Sequence, residues 1–194
     1  MAYGSGTATE NNTATGINNF DALIAEKRWK SKNVTFSFTS NFTNDYEEEA
    51  GYPDSNIHAA SFSTFNPTQQ AAFLEWVKMY ENVSGLNLIQ KVGPSDRDAT
   101  IRVAESNNAS PAYAGFPGSS VQAGDIWFHP TDFVDPDIGD YAYFTMGHEL
   151  GHAIGLEHGH EESGVANTAL YAGWDSMEFS IMTYRSYVGH GLGG

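Results

Sequence analysis

Short segments in which apolar and polar residues alternate occur along much of the chain, and they predict a β-sheet. The clearest is Asn33–Phe38, whose period of two is typical of a strand with one buried face. Residues 86–92 and 100–104 are similar, and a segment rich in Pro and Asp between them predicts a turn. Two further apolar runs, 112–116 and 121–129, are each followed by a proline.

A different period, with apolar residues three and four apart, predicts a helix that begins near Asn66. Asn66 is a suitable N-cap, Pro67 suits the first helical position, and Gln69 can reach back to the cap. The helix should run to about residue 83 and pack one apolar face on the sheet. That face consists of Ala72, Phe73, Trp76, Val77 and Tyr80.

A second helix is predicted around His148, and this one carries candidate chemistry. His148 and His152 are four residues apart, so they lie about 40° apart around a helix and can bind one metal ion. Glu149 can then reach a metal-bound water without being a ligand. Gly155 lies where the helix should end, because a residue without Cβ can adopt the left-handed conformation that turns the chain back. That turn brings His158 to the ion as a third imidazole.

The complete pattern, His-Glu-x-x-His-x-x-Gly-x-x-His, is a specific signal. With 7 histidines in 194 residues, its chance occurrence has a probability on the order of 10⁻⁴ or less. Three imidazoles that leave a fourth position to water are typical of catalytic zinc, whereas structural zinc is closed by four ligands and is often bound by cysteine, which this chain lacks. The expected chemistry is therefore hydrolysis by a zinc-activated water, with Glu149 as the general base.

Composition limits the other classes of function. A chain of 194 residues with 40% hydrophobic content can bury one core, so residues 20–194 should form a single domain, and we expect a monomer. The 24 acidic and 9 basic residues give a net charge of −15, which argues against nucleic acid or an anionic membrane as a partner. No membrane span is expected. The absence of cysteine removes disulfides and thiol chemistry.

The stretch from Glu178 to Tyr184 identifies a family. Its sequence, Glu-Phe-Ser-Ile-Met-Thr-Tyr, resembles the Met-turn of the metzincin metalloproteases, in which a methionine, here Met182, underlies the three-histidine site. Serralysins and astacins share a tyrosine two residues after this methionine. Because astacins usually rely on disulfides, the Cys-free chain resembles a serralysin over roughly residues 20–188. Three upstream segments agree with this resemblance: Lys27-Arg-Trp29, Gly124-Asp-Ile-Trp-Phe128 and Gly139-Asp-Tyr-Ala-Tyr143.

The resemblance implies a fold and roles for further residues. The fold would be α/β (α+β), a metzincin catalytic domain with a twisted mixed sheet, a backing helix and a zinc-binding active-site helix. Tyr184 would be an additional zinc ligand that moves away and then donates a hydrogen bond to the oxyanion; the alternative is that it only packs beside the Met-turn. The run from Ala112 to Phe116 would be the edge strand on which protein or peptide substrates pair, and a plain hairpin arm is the alternative. The implied protein is a secreted bacterial zinc endopeptidase without a Sec-type signal.

Two parts of the chain depart from the serralysin pattern. After the third histidine, serralysins continue with Pro and a Gly-Asp-Tyr segment, whereas this chain has Gly159-His160-Glu-Glu. The Gly-Gly-x-Gly-x-Asp repeats of a calcium-binding β-roll do not occur in the sequence, so the roll is either naturally absent or excised. Residues 1–19, rich in Gly, Thr and Asn, are expected to be loosely ordered, and a removed propeptide is one interpretation of them.

Other features leave alternatives about ligands and partners. A non-cleaving, zinc-binding recognition module on the same scaffold is the alternative function, although such a module has no need of Glu149. A cognate inhibitor protein could occupy the cleft. His58 is predicted to be a surface residue, and no spacing supports ligand roles for His129, His160 and His190. Ca²⁺ is a further candidate ligand for the acidic loop before the zinc helix, formed by Asp132, Asp135, Asp137 and Asp140.

Overall fold

The computed structural model describes residues 7–47 and 52–192, which form a central mixed sheet with helices packed against it. This arrangement confirms the predicted fold class. Within the described residues, no helix is both long and apolar enough to cross a membrane. In chain order the elements are β1 (Thr9–Asn11), α1 (Asn18–Asp21), β2 (Lys27–Trp29), β3 (Asn33–Phe38), α2 (Ser55–Ser61), α3 (Pro67–Ser84), β4 (Asn87–Gln90), β5 (Ile101–Glu105), β6 (Ala112–Ala114), β7 (Ile126–Phe128) and α4 (Tyr141–Ile154).

The main sheet has five strands in the order β4-β3-β5-β7-β6. The first four are mutually parallel, and β6 pairs antiparallel with β7 at one edge. Successive residues of a strand point to opposite faces, so Ile126 and Phe128 pack into the larger core while Trp127 lies in a smaller one. The edge strand predicted for residues 112–116 is therefore present, with Ala112–Ala114 as its paired part.

The helix α3 closes the larger core as predicted. Asn66 accepts a hydrogen bond from the Gln69 backbone N–H, and the Gln69 side chain accepts one from the Asn66 N–H, which completes a capping box. The helix ends at Gly85, whose φ of 69° is left-handed. Phe73 is fully buried between this helix and the sheet.

Helix α4 is held against α3 by two side-chain hydrogen bonds to its backbone. The Trp76 Nε1–H donates to the Tyr143 carbonyl at 2.7 Å, and the Tyr80 hydroxyl donates to the Gly147 carbonyl at 2.9 Å. Both acceptors belong to the first half of α4. These contacts fix the position of α4 along its axis relative to α3, and so fix the positions of the residues in its second half.

The structure differs from the sequence prediction in the N-terminal segment. Residues 1–6 lie outside the described residues, but residues 7–19 are not loosely ordered. Thr9–Asn11 pairs antiparallel with Lys27–Trp29, and the Asn12 N–H donates to the Glu26 carbonyl at 2.8 Å. A strand of three residues is too short to show a period of two, which is why composition alone was misleading here.

The prediction for His58 is wrong, because this residue is fully buried. It belongs to α2, in a stretch where no helix was predicted, and its ring stacks on Trp127 with centroids 4.0 Å apart. Its Nε2 lies 3.0 Å from the Tyr113 hydroxyl. Burial lowers the pKa of His58, so the ring acts as a neutral core residue.

Candidate metal centre

Helix α4, which carries His148 and His152, is fixed at both of its ends. The Asp140 carboxylate accepts a hydrogen bond from the Tyr143 N–H at 2.7 Å and caps the N-terminus. At the C-terminus Gly155 has a φ of 109°, and the Leu156 N–H donates back to the Gly151 carbonyl at 2.9 Å. The chain therefore reverses after Gly155, as the sequence predicts, and His158 returns to the helix.

Three imidazole nitrogens converge at this reversal. The Nε2 atoms of His148 and His152 are 3.1 Å apart, those of His148 and His158 are 3.1 Å apart, and those of His152 and His158 are 2.9 Å apart. Tetrahedral zinc with bonds of about 2.0–2.1 Å requires nitrogens roughly 3.3 Å apart, so only a small relaxation separates this arrangement from a metal site. The three residues also form a grouping of candidate metal ligands.

The hydrogen bonds on the far side of each ring show which nitrogens are bare. His148 Nδ1 lies 2.8 Å from the Ile181 carbonyl oxygen, and His152 Nδ1 lies 2.8 Å from the Leu156 carbonyl oxygen. A carbonyl can only accept, so both Nδ1 atoms carry the proton and both Nε2 atoms are lone pairs. Lone pairs that face one another repel unless a cation lies between them. The donor set therefore fits a metal ion.

Burial keeps these rings neutral. Desolvation is the largest cause of the lowered pKa values, about 4 for His148 and about 3 for His152, and it also lowers the pKa of His158. Neutral imidazole is the form that ligates a metal. At neutral pH the protein therefore offers its ligands without first having to lose protons.

Glu149 lies beside the triad with one bare carboxylate oxygen. The residue is 6% exposed, and its Oε2 is buried without a hydrogen-bond partner. Burial raises its pKa to about 8. Glu149 also lines the two cavities on either side of the triad. An unpartnered buried carboxyl group that opens onto both cavities is suited to accept and return a proton.

Tyr184 packs against two rings of the triad. Its ring stacks on His148 with centroids 5.7 Å apart and an interplanar angle of 22°, and its centroid is 4.6 Å from that of His158. The residue remains 44% exposed, so its side chain has room to move. Burial, followed by the charge of Glu149, raises its pKa, which keeps the phenol protonated at neutral pH.

Met182 forms the floor of the centre. It is 1% exposed and lies under α4, where a Cβ added at Gly151 would be 2.6 Å from its Sδ atom. The Met182 carbonyl accepts from the Gly159 N–H at 3.2 Å, which joins this turn to the loop that carries His158. The turn is anchored next to it, because Thr183 donates to Asp175 at 2.6 Å.

Two cavities meet at the triad and are separated by Glu149 and Tyr184. The larger, about 390 Å³, lies toward the start of α4 and has an apolar wall, and the smaller, about 240 Å³, lies toward His158. Strand β6 borders both. The larger is lined by Ser110, Pro111, Ala112, Tyr141, Phe144, Thr145, His148, Glu149, Met177, Thr183 and Tyr184.

The sequence is similar to those of known metalloproteases. The chain is 29% identical to serralysin B of Dickeya chrysanthemi over 171 residues, which are 80% of the chain and 33% of that protein. It is 31% identical to serralysin C of the same organism over 170 residues, 81% of the chain and 33% of the relative. With the metallopeptidase AprA of Pseudomonas marginalis, 29% identity extends over 143 residues, 68% of the chain and 30% of the relative.

The chain contains a serralysin-type metalloprotease region. It spans about a third of the length of the curated relatives that it matches. No protein-family model matches the chain.

The acidic loop before α4 of this serralysin-type region does not form a metal-ligand grouping with the described residues. Among the described residues, the groupings that could hold a metal ion are the triad and a second set, His158, His160 and Glu161. Asp140 is engaged as the cap of α4, and Asp132 accepts from Thr131 at 3.0 Å. The structure therefore gives Asp140 a role in the helix and provides no support for Ca²⁺.

Sequence reasoning missed two side chains at the edge of the centre. His160 stacks on His158 with centroids 5.2 Å apart, and the Glu161 Oε1 lies 3.1 Å from His158 Nδ1. Only Glu161 had a usable signal, because a carboxylate three residues after a loop histidine can reach back to it across one turn. His129 and His190, predicted as non-ligands, belong to neither grouping.

Proposed function

We propose that this region is a zinc-dependent endopeptidase that hydrolyses internal peptide bonds of protein substrates. The observation that carries the proposal is the convergence of three imidazole Nε2 atoms next to a buried carboxyl group with a bare oxygen. Zinc bound there supplies a Lewis acid that polarises the scissile carbonyl and lowers the pKa of a water molecule. His148, His152 and His158 would hold the ion.

The general base in this proposal is Glu149. Positive charge at the triad offsets the desolvation that raises its pKa, so the carboxylate is ionised at neutral pH. It takes a proton from the attacking water and delivers it to the leaving amine. No bond forms between enzyme and substrate. Tyr184 acts opposite Glu149, where its hydroxyl donates a hydrogen bond to the oxyanion that develops on the carbonyl.

Substrate binding in this proposal uses strand β6. It is the last strand at its edge of the sheet, and it borders both cavities. An extended substrate can add to it through backbone hydrogen bonds, which exist for every sequence and so suit a protease of broad range. In an antiparallel pairing, the residue that follows the scissile bond would lie near Ala112, over the larger cavity, whose lining includes Phe144 and Met177.

A decisive experiment compares digestion of casein by zinc-loaded protein with and without a chelator, and adds the variant Glu149→Ala. Because Glu149 is not a ligand, the variant should bind zinc at wild-type stoichiometry and lose nearly all peptidase activity. The matched control is Glu162→Ala, which removes an exposed carboxylate from the same site loop and should remain active. Zinc loss in Glu149→Ala would show that its role is misassigned.

The alternative is a zinc-binding module that recognises protein chains without cutting them. The bare, buried Oε2 of Glu149 favours the enzyme, because an unpartnered carboxyl group costs stability that a binding module need not accept. Zinc-replete wild-type protein that binds but does not cleave peptides would favour the module.

The proposal treats residues 20–194 as the catalytic domain and the protein as a secreted monomer. Removal of residues 1–19 as a propeptide stays a prediction, which N-terminal sequencing of the active enzyme can check. It would remove β1 from its pairing with β2. A cognate inhibitor protein that binds the cleft also stays a prediction.

A further inference from the structure

Each ligand of the triad is oriented by a partner on the far side of its ring, but the partners differ in kind. His148 and His152 use the backbone carbonyls of Ile181 and Leu156. His158 instead faces a side chain, because its Nδ1 lies 3.1 Å from the Glu161 Oε1. A single substitution can therefore remove the partner of His158, whereas no substitution removes the backbone carbonyls that face His148 and His152.

We propose that Glu161 is a positioning residue that orients His158 and strengthens its hold on the metal, as the carboxylate of a carboxylate–imidazole–metal relay. The inference rests on the proposed zinc centre. A carboxylate that accepts the Nδ1–H fixes the tautomer in which Nε2 is bare, and it makes that nitrogen a stronger donor to a cation. Partners of this kind are typically worth 10- to 100-fold in metal affinity or activity.

His158 needs such a partner more than the other ligands do. His148 and His152 are carried by α4, whose hydrogen bonds fix the backbone, whereas His158 lies in the irregular chain beyond Gly155. Backbone contacts hold the neighbouring residue, since the Gly159 N–H donates to the Met182 carbonyl at 3.2 Å. They leave the rotation of the His158 ring to be fixed by its side-chain contacts.

Local backbone geometry brings Glu161 back to this ring. The Glu161 N–H donates to the His158 carbonyl at 3.3 Å and closes a turn, so the side chain three residues on lies over the imidazole. The His158 side chain is 14% exposed and that of Glu161 is 44% exposed. The ring is thus nearly enclosed, while the carboxylate reaches it from the solvent side.

A second metal ion bound by His158, His160 and Glu161 is the competing interpretation of the same cluster. A neutral imidazole has one bare nitrogen and one that carries the proton. The triad uses Nε2 of His158, so Nδ1 must keep its proton and donate it to Glu161. With a neutral His158, the triad and the second grouping cannot both be filled, and the relay is the arrangement compatible with an occupied triad.

The test measures the zinc dissociation constant by competition with a chromophoric chelator for the wild type, Glu161→Ala, Glu161→Gln and the control Glu162→Ala. The alanine variant removes the acceptor and should bind zinc about 10- to 100-fold more weakly. The glutamine variant keeps a neutral acceptor and should lie between the alanine variant and the wild type. Glu162→Ala removes an equal charge from the next residue and should stay within about twofold of the wild type.

Melting temperatures of the metal-free proteins serve as the structural check. We expect the same melting temperature for all four proteins. A carboxylate that only stabilised the loop would instead change the melting temperature without producing the graded change in zinc affinity. Zinc affinity of Glu161→Ala within about twofold of Glu162→Ala would overturn the relay, and if the alanine variant does not fold, an unchanged affinity of Glu161→Gln overturns it equally. Wild-type protein that binds zinc but cleaves no peptide would contradict the proposed peptidase activity. The zinc affinities of the variants would still test the role of Glu161. Failure of the wild type to bind zinc would overturn both.

Discussion

The reactivity of single residues in this centre depends on which atom each neighbour leaves without a partner. Two carbonyl oxygens hold the Nδ1 protons of His148 and His152, and this leaves both Nε2 atoms bare. Glu149 follows the same rule, since nothing donates to its Oε2. A bare atom in a buried site costs stability, and here the cost falls on atoms that the proposed reaction uses.

Tyr184 provides a test at this scale. Tyr184→Phe keeps the ring that stacks on His148 and deletes only the hydroxyl. We expect zinc content and folding to survive and kcat on a peptide substrate to fall at least tenfold, toward the ~10²–10³ loss typical of an oxyanion donor. KM should change little, because the lost hydrogen bond forms mainly in the transition state.

The control for this prediction is Tyr187→Phe, which removes another exposed hydroxyl beyond the Met-turn and should leave kcat unchanged. If the kcat of Tyr184→Phe at saturating zinc equals that of the wild type, Tyr184 only packs beside the Met-turn.

At the scale of elements, the centre is a close packing of α4 against the Met-turn and α3. Gly151 allows this approach, because a Cβ at that position would lie 2.6 Å from Met182 Sδ and 2.8 Å from the Tyr80 hydroxyl. Glycine lowers helix stability by about 1 kcal/mol relative to alanine, so its presence inside a helix indicates a packing need.

The variant Gly151→Ala should therefore destabilise the protein although it raises helix propensity. We expect a net loss of about 1–3 kcal/mol in the free energy of unfolding, because overpacking outweighs the propensity gain. Urea denaturation of the metal-free protein measures it. The matched control is Gly173→Ala, where an added Cβ meets nothing within 4 Å. Equal stability of the two variants would contradict the packing argument.

Met182→Leu tests whether the turn methionine is a floor or something more. Leucine has a similar volume, so activity should stay within about tenfold of wild type, with zinc retained. Peptidase assays together with metal analysis measure both quantities. Complete loss of zinc from a folded Met182→Leu protein would be incompatible with a packing role.

Sequence patterns predicted the elements that are long or carry explicit caps. Asn66 and Gln69 specify the start of α3, and the spacing of His148, His152 and Gly155 specifies the end of α4. The short elements were missed for a physical reason. β1 has three residues and α2 has seven, so each covers fewer than two periods of its pattern, and their order comes from tertiary contacts such as that of His58 with Trp127.

At the scale of the whole molecule, residues 18–24 stabilise the loop that carries His158. The Glu157 N–H donates to the Leu23 carbonyl at 3.0 Å, and the Val165 N–H donates to the Ile24 carbonyl at 2.9 Å. The Asn18 side chain donates to the Ala169 carbonyl at 2.9 Å. These partners are more than a hundred residues apart in sequence, and all of the contacts except the Asn18 amide donor are made by backbone groups. No side-chain pattern could have predicted them, whereas the ligands themselves were readable from their spacing.

The stability of the metal-free protein should depend on pH through Glu149. Burial raises its pKa from an ordinary value near 4.5 to about 8, so the folded state binds a proton there that the unfolded state releases. The stability associated with this protonation is fully present below about pH 4.5 and is lost as the pH rises through about 8. At about 1.4 kcal/mol per pH unit the loss is on the order of 5 kcal/mol, and structural relaxation makes roughly 2–4 kcal/mol the reasonable expectation.

Glu149→Gln isolates this contribution, because glutamine keeps the shape and removes the titration. Urea denaturation of both metal-free proteins at pH 5 to pH 9 should show the free energy of unfolding falling more steeply for the wild type, so that the variant becomes the more stable protein above neutral pH. The imidazoles of His148 and His152 are present in both proteins, and their lowered pKa values destabilise both alike only as the pH falls below about 6.5. With zinc bound, the positive charge favours the Glu149 carboxylate and the difference between the two proteins should shrink. Parallel pH profiles for the two metal-free proteins would show that the Glu149 carboxyl group is solvated. That result would contradict the argument that burial prepares Glu149 to act as a base.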